Sequence, residues 1–261
     1  MARKIIALVN NKGGVGKTTS AVNLAAGIAA GKRRVLLVDL DAQGSASLSL
    51  GLTRAEMSPG SAEVLLEGFP IAKAVRPSSV KGLDVLPGSL ALASADIALS
   101  GVNGREAVLR AALKAADGYD FIVLDCPPSL GLLTVNALTA ADYYIIPVTP
   151  DYLALEGVAN LQTVVDDKLR AGFDSVAARL GILLTLADYR LNVTREIGDM
   201  IRSRFGREVF KTEIRTNVRL KEAPSFGKSV FAFDNGSTGA ANYRQLVEEV
   251  MQRIKRGNIT P

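Results

Sequence analysis

The sequence contains no histidine, and its single cysteine is Cys126. Without histidine there is no His-based metal site and no histidine general base, so serine–histidine and cysteine–histidine hydrolases are excluded. One cysteine cannot form an internal disulfide, which favours a reducing cytoplasm. No run of 18 apolar residues is present, so we expect neither a membrane-spanning helix nor a signal peptide. Any catalysis must depend on carboxylates, lysines, backbone dipoles and a bound cation.

Strand-like and helix-like segments alternate along the chain, without a low-complexity linker or an internal repeat. With 261 residues, 48% of them hydrophobic, the chain can build one sizeable core, and we predict a single domain over residues 1–261. Several strands are apolar on both faces, as buried parallel strands are. The pattern predicts an α/β fold, with a doubly wound, mostly parallel sheet and helices on both faces. Strands are predicted at Ile5–Asn10, Val35–Asp39, Leu83–Pro87, Phe121–Asp125, Tyr144–Val148 and Leu180–Leu186. Helices are predicted at Ala21–Ala30, Glu106–Ala116, Leu155–Arg170, Val193–Phe205 and Ala241–Arg256.

A glycine-rich loop follows the first predicted strand. Residues 12–19 read Lys-Gly-Gly-Val-Gly-Lys-Thr-Thr and lie between a strand and a helix, as a P-loop requires. The glycines let backbone N–H groups approach phosphate oxygens without an intervening Cβ. Lys17 supplies charge for the outer phosphates, and Thr18 supplies a hydroxyl for Mg²⁺. We therefore predict a nucleotide site formed by Lys12, Gly13, Gly14, Val15, Gly16, Lys17, Thr18 and Thr19.

Aspartates stand at the ends of two further predicted strands. Asp39 and Asp41 follow one apolar run, and Asp125 follows another. Because the carboxyl ends of parallel strands meet at one edge of a sheet, we expect these side chains near the P-loop. A buried carboxylate is costly unless it meets a cation, so one of them can serve Mg²⁺ while another orients the attacking water. Gln43 and Gly44 are expected to open a flexible turn that responds to the γ-phosphate.

Six motifs together resemble those of ParA/Soj-type partition ATPases, in the ParA/MinD family, from residue 3 to about residue 250. They are the P-loop at 12–19, Asp39-Leu-Asp-Ala-Gln-Gly44, Leu124-Asp-Cys-Pro-Pro-Ser-Leu-Gly131, Asn136-Ala-Leu-Thr-Ala-Ala-Asp142, Ala154-Leu-Glu-Gly157 and Asn217-Val-Arg-Leu-Lys-Glu-Ala-Pro-Ser225. Asn11 stands where the standard P-loop pattern begins with glycine, so this is a deviant form. Lys12 is the additional lysine that is typical of this family.

The resemblance implies an ATPase that uses ATP and Mg²⁺ and forms a homodimer with ATP. By that likeness, Lys12 reaches the nucleotide of the partner subunit, and Lys17 binds phosphate. Asp41 would position the hydrolytic water. The metal would be held by Thr18, Asp39 and Asp125.

The same resemblance implies a ParB-like partner, or another cargo adaptor, that stimulates hydrolysis. The loop from Asn217 to Pro224 would lie against the adenine, with Asn217, Arg219 and Pro224 in contact. The sequence departs from the family at Ala42, where proline is usual, and at Ser45, where asparagine is usual. We therefore expect a looser switch loop.

Positive charge is concentrated between residues 189 and 228, which hold 10 of the 31 lysines and arginines but 5 of the 26 acidic residues. The rest of the chain is neutral, with 21 charges of each sign. Clustered cations favour phosphate backbones by counterion release, whatever the base sequence. The segment has few aromatic residues on which the bases of a single-stranded nucleic acid could stack. No helix-turn-helix that would read a base sequence is evident. We predict non-specific binding to double-stranded DNA, and hence a cytoplasmic, nucleoid-associated protein. The predicted DNA contacts are Arg190, Arg195, Arg202, Arg204, Arg219 and Lys221.

Three alternatives to this interpretation stay open. The basic segment could be a solvated surface whose arginines pair with Glu196, Asp199 and Glu208. A MinD-type membrane-associated ATPase would share the P-loop, but we find no separate basic amphipathic tail and expect no membrane contact. A metabolic P-loop enzyme of the dethiobiotin-synthetase kind would use the same loop on a small molecule.

Overall fold

Eight strands form one sheet, in the order β3-β4-β2-β5-β1-β6-β7-β8, in the computed structural model, which describes residues 2–173 and 176–257. The other residues of the predicted 1–261 domain lie outside this described part. Neighbouring strands are parallel, except that β3 and β4 are antiparallel. The prediction of a doubly wound, mostly parallel sheet is therefore confirmed. The strands are β1 (Lys4–Leu8), β2 (Val35–Asp39), β3 (Arg76–Pro77), β4 (Leu83–Leu86), β5 (Phe121–Asp125), β6 (Tyr143–Val148), β7 (Ala178–Ala187) and β8 (Ile214–Arg215).

The central strands end level with one another. Asp125 at the end of β5 pairs with Leu8 of β1 on one side and with Asp39 of β2 on the other. We call the side of the sheet where these strands end the carboxyl edge, and the side where they begin the amino edge. The register therefore brings the P-loop and two of the predicted aspartates together at the carboxyl edge.

Helices cover both faces of the sheet. The α-helices are α1 (Lys17–Ala30), α2 (Ser45–Ser49), α3 (Ser61–Leu66), α4 (Ile71–Ala74), α5 (Ala95–Ala98), α6 (Val108–Leu113), α7 (Leu132–Ala140), α8 (Ala154–Thr163), α9 (Arg170–Gly172), α10 (Asn192–Phe205), α11 (Val218–Glu222), α12 (Val230–Phe233) and α13 (Thr238–Arg256). Short 3₁₀ turns lie at Arg54–Glu56, Leu90–Ser94, Arg105–Ala107, Gly206–Glu208 and Ala223–Phe226, and a π-helical stretch at Val164–Leu169. One hydrophobic core contains α3, α6, α7, α8 and α10, and the other contains α1 and α13.

The predicted bounds of strands and helices agree best with the structure where the hydrophobic pattern is strongest. The strands β2 and β5 have the predicted bounds, whereas β1 ends at Leu8, two residues early, because the chain turns into the P-loop. The predicted helix Leu155–Arg170 is divided by the π-helical stretch. Helix α7 was missed because its sequence, LLTVNALTA, is apolar nearly all round and shows no amphipathic period.

The outermost strand on each side of the sheet is short. On one side, β3 consists of Arg76 and Pro77 and pairs with β4 in the antiparallel direction. On the other side, β8 consists of two residues and pairs with β7 through a shift of register. Both outer strands therefore offer little backbone for further pairing.

The C-terminal helix α13 packs closely on the P-loop helix α1. A Cβ on Gly27 would lie 2.6 Å from Cγ2 of Val247, so the glycine permits this approach. The hydroxyls of Ser20 and Tyr243 hydrogen-bond at 3.1 Å in the buried contact. Within residues 2–173 and 176–257, no helix is long and apolar enough to cross a bilayer.

Candidate active site

The loop between β1 and α1 has the backbone conformation of a phosphate-binding loop. Gly14 and Gly16 have φ angles of 75° and 77°, in the left-handed region that favours glycine. A Cβ on Gly13 or Gly14 would meet no described atom within 4 Å, so this part of the loop borders open space. Gly16 is the N-cap of α1, and no side chain caps the helix. The N–H groups and the positive end of the helix dipole are therefore available to an anion.

Lys17 lies across this loop. Its Nζ donates a hydrogen bond to the carbonyl of Lys12 at 2.8 Å, and the residue is only 7% exposed. Burial lowers the pKa of Lys17, while nearby acidic groups, above all Asp125, act in the opposite direction. An ammonium group held in this way is poorly hydrated, so an anionic ligand stabilises it strongly.

Asp125 is the side chain that most clearly fits a cation site. Neither of its buried carboxylate oxygens has a hydrogen-bond partner among the residues that the structure describes. Burial, and next the charge of Asp39, raise the pKa of Asp125 well above its ordinary value, while Thr18 and Lys17 lower it. A buried carboxylate without donors needs a cation to stay ionised. The residues therefore fit Mg²⁺, which Thr18 and Asp125 would hold and which neutralises phosphate charge when bound.

Asp39 has protein donors instead. Its oxygens accept hydrogen bonds from the backbone N–H of Ser47 at 2.9 Å, from the hydroxyl of Ser47 at 2.7 Å and from the N–H of Asp41 at 3.2 Å. Burial raises the pKa of Asp39 to about 6, and the Ser47 hydrogen bonds limit that rise. No group of three metal-ligating acidic or cysteine side chains occurs in the described part of the chain. The role of Asp39 in supporting a metal stays a prediction.

Asp41 begins a segment that is tightly packed. Its Oδ1 accepts a hydrogen bond from the N–H of Gln43 at 2.9 Å, and α2 begins two residues later. A Cβ on Gly44 would lie 2.8 Å from the carbonyl oxygen of Gly88. Hydrogen bonds among Gly88, Ser47 and Asp39 hold the start of α2. The flexible turn and the looser switch loop that the sequence suggested stay predictions. Asp41 is half-buried at the carboxyl edge, and its role in positioning the hydrolytic water stays a prediction.

Lys12 projects from the loop and meets a residue that the sequence analysis missed. Its Nζ lies 2.5 Å from Oδ2 of Asp151, and the two side chains are 45% and 37% exposed. Asp151 follows β6, so the strand-end argument that found Asp125 could have found it as well. Thr185, also missed, donates a buried hydrogen bond from Oγ1 to the carbonyl of Val15 at 2.8 Å. A threonine inside a strand gives no sequence signal of such a role.

The proposed adenine segment is helical. Asn217 caps α11 by accepting a hydrogen bond from the N–H of Arg219 at 2.9 Å, and Pro224 lies in the 3₁₀ turn that follows. The guanidinium of Arg219 pairs with Glu222 and Asp234. The segment follows β8 at the carboxyl edge, as the P-loop follows β1. Its contacts with adenine stay a prediction.

The basic segment divides between the two edges of the sheet. Helix α10 starts at the carboxyl edge and ends at the amino edge, about 21 Å away at 1.5 Å per residue. Nine of the ten cations are exposed, and Arg202 is half-buried against Glu213. In the described ranges, cations of the segment pair with Asp188, Glu213, Glu222 and Asp234. Of the acidic residues that the solvated-surface alternative named, Glu208 pairs with Arg179, which lies outside the segment. At the carboxyl edge lie Arg190, Arg195, Arg215, Arg219 and Lys221, and at the amino edge Arg202, Arg204, Arg207 and Lys211.

Comparisons with known proteins agree with this site. Residues 3–172 match the family model of the AAA domain. The chain is 47% identical over 250 residues to the chromosome-partitioning ATPase Soj of Thermus thermophilus, with 96% of each chain covered. It is 43% identical over 251 residues to the chromosome partitioning protein ParA of Myxococcus xanthus, with 96% of this chain and 88% of that protein covered. The chain belongs to the ParA/Soj family of partition ATPases.

Membership of this family defines the chemistry of the site. The protein is an ATPase whose cofactors are ATP and Mg²⁺. Its fold matches the crystal structure of cobyrinic acid a,c-diamide synthase from Mycobacterium smegmatis with bound ADP and magnesium, at a TM-score of 0.84 and 33% identity over 99% of this chain and 98% of that one. The partition proteins are more similar in sequence than this synthase, so the metabolic alternative is not favoured.

Proposed function

We propose that this ATPase is an ATP-controlled DNA-binding switch in the partition of a chromosome, a plasmid or another cargo. ATP binding forms a homodimer, the dimer binds double-stranded DNA without sequence preference, and the protein resides on the nucleoid. A ParB-like partner or other cargo adaptor stimulates hydrolysis, which returns the protein to the monomer. The basis for the cargo role is the similarity to proteins named for chromosome partition.

The placement of exposed cations at the carboxyl edge carries the DNA-binding proposal. Arg195 and Lys221 are exposed and make no ion pair within the residues described. Arg190 is paired with Asp188, yet its side chain is 84% exposed. These cations share the edge of the sheet with the nucleotide site. A two-fold dimer formed across that edge would bring two copies of the cationic surface to one duplex.

The exposure of Lys12 supports dimerisation across the same edge. Lys17 already provides a lysine beside the phosphates of its own subunit, and its Nζ is held inside the loop. The side chain of Lys12 instead projects outward, where its ammonium pairs with Asp151. We therefore assign Lys12 to the nucleotide of the partner subunit.

Gel-shift titrations across salt test the proposal. In the double variant Arg195→Ala/Lys221→Ala we expect weaker binding to every duplex sequence alike. The slope of log affinity against log salt should become shallower by up to about two units for each subunit of the dimer, since each phosphate contact contributes about 0.9. The double variant Lys73→Ala/Lys114→Ala removes two exposed charges elsewhere and is the matched control. An equal change in both variants, or ATP-independent binding by the wild type, would contradict the proposal.

A further inference from the structure

A cavity of about 530 Å³ opens at the amino edge, on the opposite side of the sheet from the P-loop. Its wall is formed by the start of β7, the end of α10, the turn Gly206–Glu208 and the last turns of α13. Thr185 of β7 contacts the P-loop, whereas Leu180 of the same strand lines the cavity. At about 3.3 Å per residue, these two residues lie about 16 Å apart. The cavity is therefore separate from the nucleotide site.

The charge of the cavity wall is strongly positive. Its charged residues are the cations Arg179, Arg202, Arg207, Lys211, Arg253 and Arg256 and the anions Glu208 and Glu249. Arg179 pairs with Glu208, Arg202 with Glu213 and Arg253 with Glu249, at 2.8, 2.5 and 2.9 Å. No ion pair of Arg207, Lys211 or Arg256 occurs between residues of the described part. Three positive charges of the wall thus have no compensating carboxylate from residues 2–173 and 176–257.

One buried guanidinium of the wall also has an unused donor. Arg179 is 5% exposed, and its Nη2 pairs with Glu208. Its buried Nε has no hydrogen-bond partner within 2–173 and 176–257. A buried donor without an acceptor lowers stability, and such groups are uncommon in native proteins. This atom has no exposed surface, so it lies behind the wall and is not itself a donor to the open cavity.

The frame of the cavity is rigid. Arg253 donates hydrogen bonds to three backbone carbonyls, at 2.8 to 3.1 Å, and stacks on the ring of Phe210 at 4.0 Å. A Cβ on Gly181 would lie 2.6 Å from Nη1 of Arg253, so the glycine makes room for this guanidinium. Glu249 accepts hydrogen bonds from the N–H groups of Lys211 and Thr212, at 2.9 Å each, and so fixes the backbone that carries Lys211. The guanidinium of Arg253 and the backbone that carries Lys211 are therefore held in place before any ligand binds.

Stabilisation of helix ends does not account for all of this charge. The carboxyl ends of α10 and α13 attract cations, which explains the positions of Arg202, Arg253 and Arg256. Arg207 and Lys211 follow α10 outside any α-helix, and both are exposed. A helix dipole therefore does not explain why these two positions carry positive charge.

We propose that the amino-edge cavity binds a small polyanion with at least two phosphate groups, of the class of inorganic polyphosphates and multiply phosphorylated metabolites. The volume lies in the range of about 300 to 1,000 Å³ that is usual for small-molecule sites. Three uncompensated cations match the charge of such a ligand. They surround a concavity, which suits a compact anion better than the convex backbone of a duplex. This inference does not depend on the proposed DNA binding.

Isothermal titration of inorganic triphosphate tests the site directly. The full chain is first saturated with Mg·ADP, and Mg²⁺ is kept in excess on both sides, so that the P-loop is occupied and chelation makes no contribution. We expect one triphosphate per chain. In Arg207→Ala/Lys211→Ala the affinity should fall at least about tenfold, because each hydrogen bond to a charged group contributes on that order. Both residues are exposed, so retained ADP affinity will show that the variant is folded.

A matched control variant and a measurement of duplex binding distinguish a polyanion site from general charge effects and from a DNA-binding surface. Lys73→Ala/Lys114→Ala removes the same charge from the other end of the sheet and should change triphosphate affinity less than twofold. Absence of triphosphate binding, an unchanged affinity in the cavity variant or an equal loss in the control overturns the proposal. If the wild type does not bind triphosphate and the cavity variant loses duplex binding, the cavity is a DNA-binding surface. That outcome would also overturn the proposal.

Discussion

Lys12 and Asp151 form an ion pair beside the P-loop, with Nζ and Oδ2 2.5 Å apart. Both belong to the same subunit, and both side chains are partly exposed. If Lys12 contacts the nucleotide of the partner subunit, it must first leave Asp151. The ion pair therefore opposes dimerisation by the free energy that is needed to separate the two charges.

Replacing this carboxylate should favour the dimer. In Asp151→Asn we expect ATP-dependent dimerisation to strengthen about two- to thirtyfold, because two exposed ion pairs, one in each subunit, each contribute about 0.2–1 kcal/mol. Analytical ultracentrifugation with a non-hydrolysable ATP analogue measures the change. Asp117→Asn removes an exposed carboxylate elsewhere and should have no effect. Weaker dimerisation in Asp151→Asn would mean that Asp151 supports the dimer instead.

The two lysines of the P-loop should have separable roles. Lys17→Ala should lose most nucleotide affinity, because the buried ammonium is the principal side-chain charge beside the phosphates. Lys12→Ala should keep ATP binding but fail to dimerise, because its proposed target lies in the other subunit. Fluorescent-nucleotide titration and size-exclusion chromatography with ATP measure the two properties. An ordinary ATP dimer of Lys12→Ala would disprove the role across the subunits.

Asp41 should be needed for hydrolysis and not for binding. In Asp41→Ala we expect ATP affinity within about threefold of the wild type and loss of most turnover, because a residue that orients water acts on the chemical step. The ATP dimer should then accumulate. Phosphate-release assays and ultracentrifugation check both effects. Normal turnover in this variant would remove Asp41 from the reaction.

Glu249 should make stability depend on pH. Burial raises the pKa of Glu249, but donors from Lys211, Thr212 and Arg253 outweigh it, so the pKa lies below its ordinary value of 4.5. A carboxylate with a lowered pKa stabilises the fold above the unfolded pKa and loses that effect as pH falls through the folded pKa.

Urea unfolding of Glu249→Gln at several pH values tests this dependence. At pH 7 we expect the variant to be about 1.5–3 kcal/mol less stable, the usual contribution of a charged hydrogen bond. The difference should shrink as pH falls below 4.5 and then vanish. Glu248→Gln, at an exposed neighbouring position, should behave like the wild type at every pH. A difference that persists in acid would show that packing, and not charge, is responsible.

The sequence predicted the parts of the site that depend on local pattern. The P-loop glycines and Asp125 could be placed because strand ends and glycine turns have local signatures. Ser47 could not, since its role depends on the distance between Asp39 and the start of α2, which only tertiary packing determines. The sequence also could not predict that the basic segment is divided, because α10 runs from the carboxyl edge of the sheet to the amino edge and so separates the cations at its two ends. A count of charges along the chain contains no information on that separation.

The shortness of the outer strands limits how this protein can aggregate. Proline at position 77 has no N–H to donate, and β8 offers two residues, so neither border of the sheet can serve as a template for an incoming strand. If many copies bind along one nucleic acid, as proposed above, they would not merge into fibres by strand addition. A two-fold contact at the proposed dimer face would instead close on itself after two chains. The borders of the sheet thus favour a closed, reversible pair over open-ended growth.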